Sequence, residues 1–294
     1  MSAASRSLNE EAFLADAIVL SGNERTTAAR ANPSWLSTAL ADLLRRSETA
    51  LVVPLTAHSA APILGPLGPA TPAMHADRDA PAAVLSLPFF RGTERSATLV
   101  VAANYTGGTV EVWGADGEQL EDSLELRLET GYFGVEDSFR RVTAVTKFRR
   151  GQGLPGSVWA ESQPILFHDL SVRRSFLRAE AAISAGLAFG LGIPVTTPKG
   201  PRAVVFLSTR LRPVARSIYL FRNDEVLELI DSFTLESNPE FRKDQLDRAR
   251  HMAAITMESM LPLADAGSPN SYPSAFTWPS VDVTGRHYVT TVMG

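Results

Sequence analysis

Phe148-Arg149-Arg150-Gly151-Gln152-Gly153-Leu154-Pro155-Gly156-Ser157-Val158-Trp159 is the stretch on which the fold turns. Its three glycines and one proline between 151 and 156 predict a tight turn, with a short helix or strand starting at Ser157–Trp159. Further along, Ala185-Gly186-Leu187-Ala188-Phe189-Gly190-Leu191-Gly192-Ile193-Pro194-Val195 reads as a strand of small residues closing on an apolar-Pro-apolar step.

Outward from the turn, strand patterns alternate with short links. Ala83–Phe90, Ala97–Asn104 and Thr109–Trp113 are apolar and β-branched, and Arg91-Gly92-Thr93-Glu94 and Tyr105-Thr106-Gly107-Gly108 join them. Links so short predict an antiparallel meander. Residues 115–147 are mixed and are expected to wander over one face of the sheet. Beyond the turn, Pro164–Phe167 reads as a strand, Asp169–Arg174 as a polar loop and Phe176–Ile183 as a short helix. Gly186–Val195, Arg202–Ser208 and Ser217–Phe221 read as further strands. Residues 82–103 and 201–220 echo one another as strand, arginine-containing turn and strand, a pattern that two hairpins of one sheet would produce.

Toward the N-terminus, Phe13, Leu14, Ala17 and Ile18 form a helical stripe within Leu8–Leu20. Asn32-Pro33 predicts a helix start, and Trp35, Leu36, Ala39, Leu40, Leu43 and Leu44 continue it to Arg45-Arg46. Ala50–Leu55 reads as a short buried strand. Ala57–Pro81 is proline-rich and aperiodic, so it is expected to be a loop, with His58 and His75 solvated in it. At the other end, Pro239–Leu261 predicts a helix with Leu246, Ala249, Ala253, Met257 and Met260 on one face, stopped by Pro262. The remainder, from Pro262 to Gly294, reads as an irregular tail that Trp278 and Tyr288 pin to the body. The resulting divisions are N-terminal helices and a proline-rich loop at 1–81, a core at 82–225, a C-terminal helix packing on it at 226–265 and the tail at 266–294.

Composition removes several functions. The chain has 294 residues, 45% of them apolar and 20% charged, which suits a globular protein. A net charge of -4 with no run of Lys and Arg leaves no footprint for nucleic acid. The absence of cysteine excludes disulfides, thiolate metal sites and a cysteine nucleophile. No run of 18 apolar residues could span a membrane, and Met1–Ser7 carries no secretory pattern, so a cytoplasmic protein is expected. No His-x-x-x-His or Gly-x-Ser-x-Gly occurs, and the carboxylates are scattered, so catalysis is not expected.

In order along the chain, Gly151–Trp159, Gln163-Pro164, Asp169-Leu170, Phe176-Leu177-Arg178 and Gly186–Val195 resemble the motif of a GAF domain, a small-molecule sensing fold related to PAS domains. The resemblance covers roughly 82–225. It implies an α+β fold, with a central six-stranded antiparallel sheet, helices packed on one face and a ligand pocket on the other. Family members that attach bilin, or that reduce free methionine sulfoxide, use cysteines that this chain lacks. The Asn-Lys…Phe…Asp-Glu pattern of cyclic-nucleotide-binding members is not found properly spaced either.

On that frame the candidate ligand-binding residues are Trp113, Phe133, Phe148, Trp159, His168, Asp169, Phe176 and Arg178, with Phe139 beside them. Aromatic walls with a few polar groups are the usual make-up of a small-molecule site, although each ring is individually a good core residue. His168 and Asp169 are adjacent, so on a strand they face opposite ways. Asp169 is expected to cap the loop or helix behind it, and His168 to be half-buried rather than a haem or metal ligand. Arg173, Arg174 and Arg178 form a basic cluster suited to carboxylate or phosphate, while a solvated helix flanked by acidic groups such as Glu180 is the simpler reading.

The resemblance implies a stand-alone sensory or regulatory protein that binds an unidentified small molecule non-covalently, with no cofactor named. It would signal through a partner or through a homodimer of the helices at 32–46 and 239–261, whose apolar faces could instead cover the sheet. The alternative is a non-catalytic scaffold or interaction module with a vestigial pocket.

Overall fold

The computed structural model describes residues 14–21, 38–47, 50–54, 82–91, 94–103, 107–115, 125–135, 137–170, 177–197, 200–211, 213–265 and 275–293. The helix start at Asn32-Pro33, the loop 57–81 with its two histidines, Arg173, Arg174 and Phe176 lie outside the described residues.

Among the described residues three antiparallel sheets follow one another along the chain. The first comprises β1 (Leu14–Ser21), β2 (Leu51–Pro54), β3 (Ala83–Arg91) and β4 (Glu94–Ala103), with α1 (Thr38–Arg46) between its first two strands, in the order β1-β4-β3-β2. The second holds β5 (Gly108–Ala115), β6 (Glu125–Phe133), β7 (Phe148–Arg149), β8 (Ile165–Phe167), β9 (Leu187–Thr197) and β10 (Gly200–Thr209), interleaved with α2 (Asp137–Val145), α3 (Gly153–Glu161) and α4 (Ala179–Ser184). Its order is β7-β6-β5-β10-β9-β8. The third has β11 (Ser217–Asn223), β12 (Leu227–Thr234), α5 (Pro239–Ser259), β13 (Leu263–Asp265), β14 (Ala275–Val281) and β15 (His287–Met293), in the order β12-β11-β15-β14-β13.

One connectivity underlies all three. The last strand of each unit lies between the first and the penultimate, and a short strand (β2, β8 or β13) flanks the penultimate on its far side. Even the register repeats. Ser86-Leu87-Pro88, Gly192-Ile193-Pro194 and Thr277-Trp278-Pro279 occupy equivalent places, because Ser86, Gly192 and Thr277 pair with the first residue of their short strand, Leu51, Ile165 and Leu263. Each proline therefore falls two residues past the last position paired with the short strand, on whose side a missing N–H leaves no ladder bond unmade.

Alternation decides which way each side chain points. One face of every sheet looks into a shared core, where Leu85, Leu87, Leu99 and Val101 meet Val112, Ile193, Val204 and Phe206 of the second sheet and Ile218, Phe276, Trp278 and Val292 of the third. The opposite faces are covered by helices. Leu40, Ala41 and Leu44 of α1 pack on Leu20, Val53, Val84 and Val100. Phe139, Leu154, Val158 and Ala182 of α2–α4 cover the second sheet, and Ala249, Met252 and Ala253 of α5 cover Tyr219, Phe221, Val289 and Met293 of the third. Small residues let the helices come close: Ser86 donates to the Leu44 carbonyl, and Thr277 hydrogen-bonds Thr256 of α5. At Gly192 a Cβ would lie 2.5 Å from Val158 Cγ2 and 3.0 Å from Leu154 Cδ1.

The turn expected over 151–156 is shorter than that: residues 150–152 join β7 to α3, which starts at Gly153 rather than at Ser157–Trp159. Gly153 opens the helix at φ 62° against the Phe148 ring, and a Cβ on Gly156 would stand 2.2 Å from the Arg149 carbonyl oxygen. Pro155 thus sits inside the first helical turn, where its missing donor costs nothing. α5 begins as the sequence leads one to expect: Asn238 accepts from the N–H groups of Glu240 and Phe241, and Pro239 takes the first position.

Several expectations are corrected. The strands at 83–90 and 97–104 do not continue into 109–113 as one meander; they form β3 and β4 of the first sheet, and β5 starts the second. The two echoing segments are not two hairpins of one sheet, since β10 and β11 belong to different sheets. Ala17 and its neighbours form strand β1, because pairing with β4 outweighs a weak helical stripe. Residues 115–147 supply β6 and α2, and the supposed tail supplies β14 and β15, whose hairpin completes the third sheet. The face of the six-stranded sheet away from the helices is not hollowed for a guest; the first and third sheets fill it.

Two measurements test these contacts. Gly192→Ala overpacks the α3 contact and should lower stability by about 1–3 kcal/mol, or about 2–4 °C of Tm per kcal/mol, measured by thermal unfolding. The second concerns the β14–β15 turn. Burial pushes the Asp282 carboxyl up, but hydrogen bonds from the Thr284 hydroxyl, the Arg286 and Thr284 N–H groups and the Tyr288 hydroxyl outweigh it and hold it below the usual carboxylate range. A carboxylate held low contributes stability in full above its unfolded-state pKa and loses it as pH falls through the folded-state value. The stability gap between the parent and Asp282→Asn should therefore be constant near neutrality and close below about pH 4, as followed by unfolding across a pH series.

Candidate functional site

Strand β5 places Thr109, Glu111 and Trp113 on its helix-covered face, and all three are buried. A lone carboxylate there would be costly. Glu111 is met by Arg178, just ahead of α4, with both side chains at 0% exposure. Arg178 Nη1 donates to Glu111 Oε1 at 2.8 Å and Nη2 to Oε2 at 2.9 Å, a two-pronged pairing. Nη1 also donates to Thr143 Oγ1 of α2 at 2.7 Å. Glu111 accepts in addition from Trp113 Nε1 at 2.9 Å and Thr109 Oγ1 at 3.2 Å. Three rings enclose the guanidinium: Phe139 at 4.9 Å, Trp113 at 5.2 Å and Phe148 at 5.5 Å from Cζ to the ring centroid. Trp113 and Phe148 meet edge-on at 4.8 Å.

Of the residues singled out from the sequence, the structure brings together Trp113, Phe148 and Arg178, with Phe139. Phe133 lies at the margin of this group, 6.4 Å from Phe139. Trp159 is on α3 and half-buried, with Arg150 6.0 Å above its ring. Arg178 is not on a solvated helix facing Glu180: it is buried and paired with Glu111. Sequence reasoning misses Glu111 and Thr143. The available sign is a single charge in the otherwise uncharged run Thr109-Val110-Glu111-Val112-Trp113.

His168 and Asp169 lie elsewhere, just past the end of β8, and bond different partners. His168 Nε2 is 3.0 Å from Asp231 Oδ1 of β12, linking the second sheet to the third at a half-exposed position. Asp169 accepts from Arg210 Nη2 at 2.7 Å. That pair lines a cleft of about 360 Å³ beside α4, together with Ile183, Gly186, Leu187 and Leu211. Among the described residues no group of three His, Asp or Glu could hold a metal ion, and no helix is long and apolar enough to cross a membrane.

No family model matches the sequence, and no curated protein matches it. Two solved structures from Staphylococcus aureus overlap with part of the chain. One is an NreA protein mutated in its nitrate-binding site, 17% identical over 36% of this chain and 77% of that chain, with a TM-score of 0.29. The other is the hypothetical protein SA1058, 17% identical over 36% of this chain and 84% of that chain, with a TM-score of 0.28. At such TM-scores the overlap speaks neither for a common fold nor for a common ligand.

Removing one partner of a buried ion pair strands the other. Arg178→Met should cost about 3–5 kcal/mol in urea unfolding. Combining it with Glu111→Leu should restore most of that loss, because the pair together is close to neutral against apolar replacements. A double variant no more stable than the single one would show that the pair stabilises the fold outright.

Proposed function

We propose that this chain is a GAF-like regulatory protein that binds a small molecule non-covalently and performs no chemistry of its own. The observation that carries the reading is the cleft beside α4, where apolar Ile183, Leu187 and Leu211 stand around the Asp169–Arg210 pair. A concave apolar surface with a few placed polar groups is how small-molecule sites are generally built. The ligand that suits it has an apolar body and one polar or anionic end, since a guanidinium fork favours carboxylate and phosphate. The antiparallel sheet from β5 to β10, with its helices on one face, agrees with the order of elements in the GAF motif. Output would pass through a partner or a dimer. Helices α1 and α5 turn their apolar stripes onto their own sheets, so a dimer would use other surfaces.

One observation favours the second reading, a scaffold with a vestigial pocket: the aromatic compartment of Trp113, Phe139 and Phe148 is filled by the chain's own Arg178.

A thermal-shift series with amino acids, nucleotides and tetrapyrroles separates the two. A true ligand at a hundred times its Kd adds about 2.7 kcal/mol, or a rise of about 5–10 °C. Ile183→Trp, at an exposed position of the cleft, should abolish that rise while leaving the unliganded Tm in place. A flat series on the parent protein leaves the scaffold.

A further inference from the structure

One strand from each of the three units lines a groove of about 160 Å³: β3 with Pro88 and Phe90, β9 with Pro194 and β14 with Trp278 and Ser280, while Met260 closes it from the end of α5. Two buried polar groups stand there. Trp278 is 1% exposed and Ser280 9%, and neither Trp278 Nε1 nor Ser280 Oγ finds a hydrogen-bond partner among the described residues. Buried groups of this kind are uncommon because each forgoes its bond to water. An indole N–H can only donate, whereas a hydroxyl both donates and accepts. A ligand oxygen can accept from the indole, and a hydroxyl or carbonyl can also bond with the serine.

We propose that this groove binds a small uncharged molecule with an apolar ring or chain and a single hydroxyl or carbonyl oxygen, of the size and kind of phenol. The size is set by the volume, since apolar cavities of about 150 Å³ hold benzene. Neutrality is set by the lining, which contains no ionisable side chain to offset a desolvated charge. The prolines argue against a peptide. On strands β3, β9 and β14 they occupy the locally open edges, so an added strand would find donors missing on all three. The groove shares no residue with the cleft beside α4, so the two sites stand or fall separately.

The test is a phenol titration of the full ¹⁵N-labelled chain, reading the tryptophan indole N–H signals by NMR, with benzene as comparator. The Trp278 signal, identified by its loss in Trp278→Phe, should move saturably with a Kd of about 0.1–1 mM. Ser280→Ala leaves the core ring untouched and should weaken phenol about fivefold to tenfold. Trp278→Phe, read by calorimetry, should do the same, and benzene should bind more weakly than phenol. An unmoved Trp278 signal overturns the proposal. So does benzene binding as tightly as phenol with Ser280→Ala indistinguishable from the parent, because the unmatched donors would then play no part.

Discussion

Among the described residues the inner strands of each sheet are covered on both sides, by the shared core and by a helix layer, and this constraint governs what those strands can carry. A sheet with one wet face alternates apolar and polar residues. Here β5 is buried from Gly108 to Gly114, β10 from Arg202 to Ser208 and β4 from Ala97 to Ala103. What alternates is the neighbour. Large residues occur on both faces, Phe206 and Trp278 toward the core and Trp113 and Phe221 toward the helices, while small ones such as Ser86, Gly190, Gly192 and Thr277 stand where a helix comes close. A charge on such a strand has no water on either side, which is why Glu111 requires a guanidinium, two further donors and a ring of aromatics around the pair.

The same constraint explains how far the sequence could be read. The presence of a turn at Gly151, the strands β8, β9 and β10 after it and the helix from Pro239 were legible because their cues are local: clustered glycines, runs of apolar and small residues, a helical stripe. The separation of β3 and β4 from β5 was not. Hairpin-length links suggest that two strands are antiparallel neighbours, yet β4 and β5 belong to different sheets, and only the pairing of β3 and β4 with β1 and β2 settles that. β14 was hidden within a stretch read as an irregular tail, and its Pro279 is tolerated because the short partner β13 stops before it. β1 was hidden by a stripe that fits a helix and a buried strand equally well.

The candidate site was legible in part for the same reason. Trp113, Phe148 and Arg178 were grouped by a motif, and the fold does bring them together. The motif could not say that Arg178 would occupy the compartment itself, because its partner Glu111 is 67 residues away in sequence. Asp169 stands in the sequence as half of a tempting pair with His168, but its actual companion, Arg210, comes from beyond the end of β10. Pairings between residues 67 and 41 positions apart leave no trace in local spacing.

The placement of the last strand in each unit has a consequence for how the polypeptide acquires its shape. β4, β10 and β15 sit in the middle of their sheets, hydrogen-bonded to strands synthesised long before them: Leu99 to Val19, Val204 to Val112, Thr291 to Tyr219. No unit can close until its final segment arrives, so each first strand must wait with its edge unsatisfied. Topologies dominated by such distant partners fold slowly, in about milliseconds to seconds, and the interval before closure is when the nascent chain is most open to mispairing.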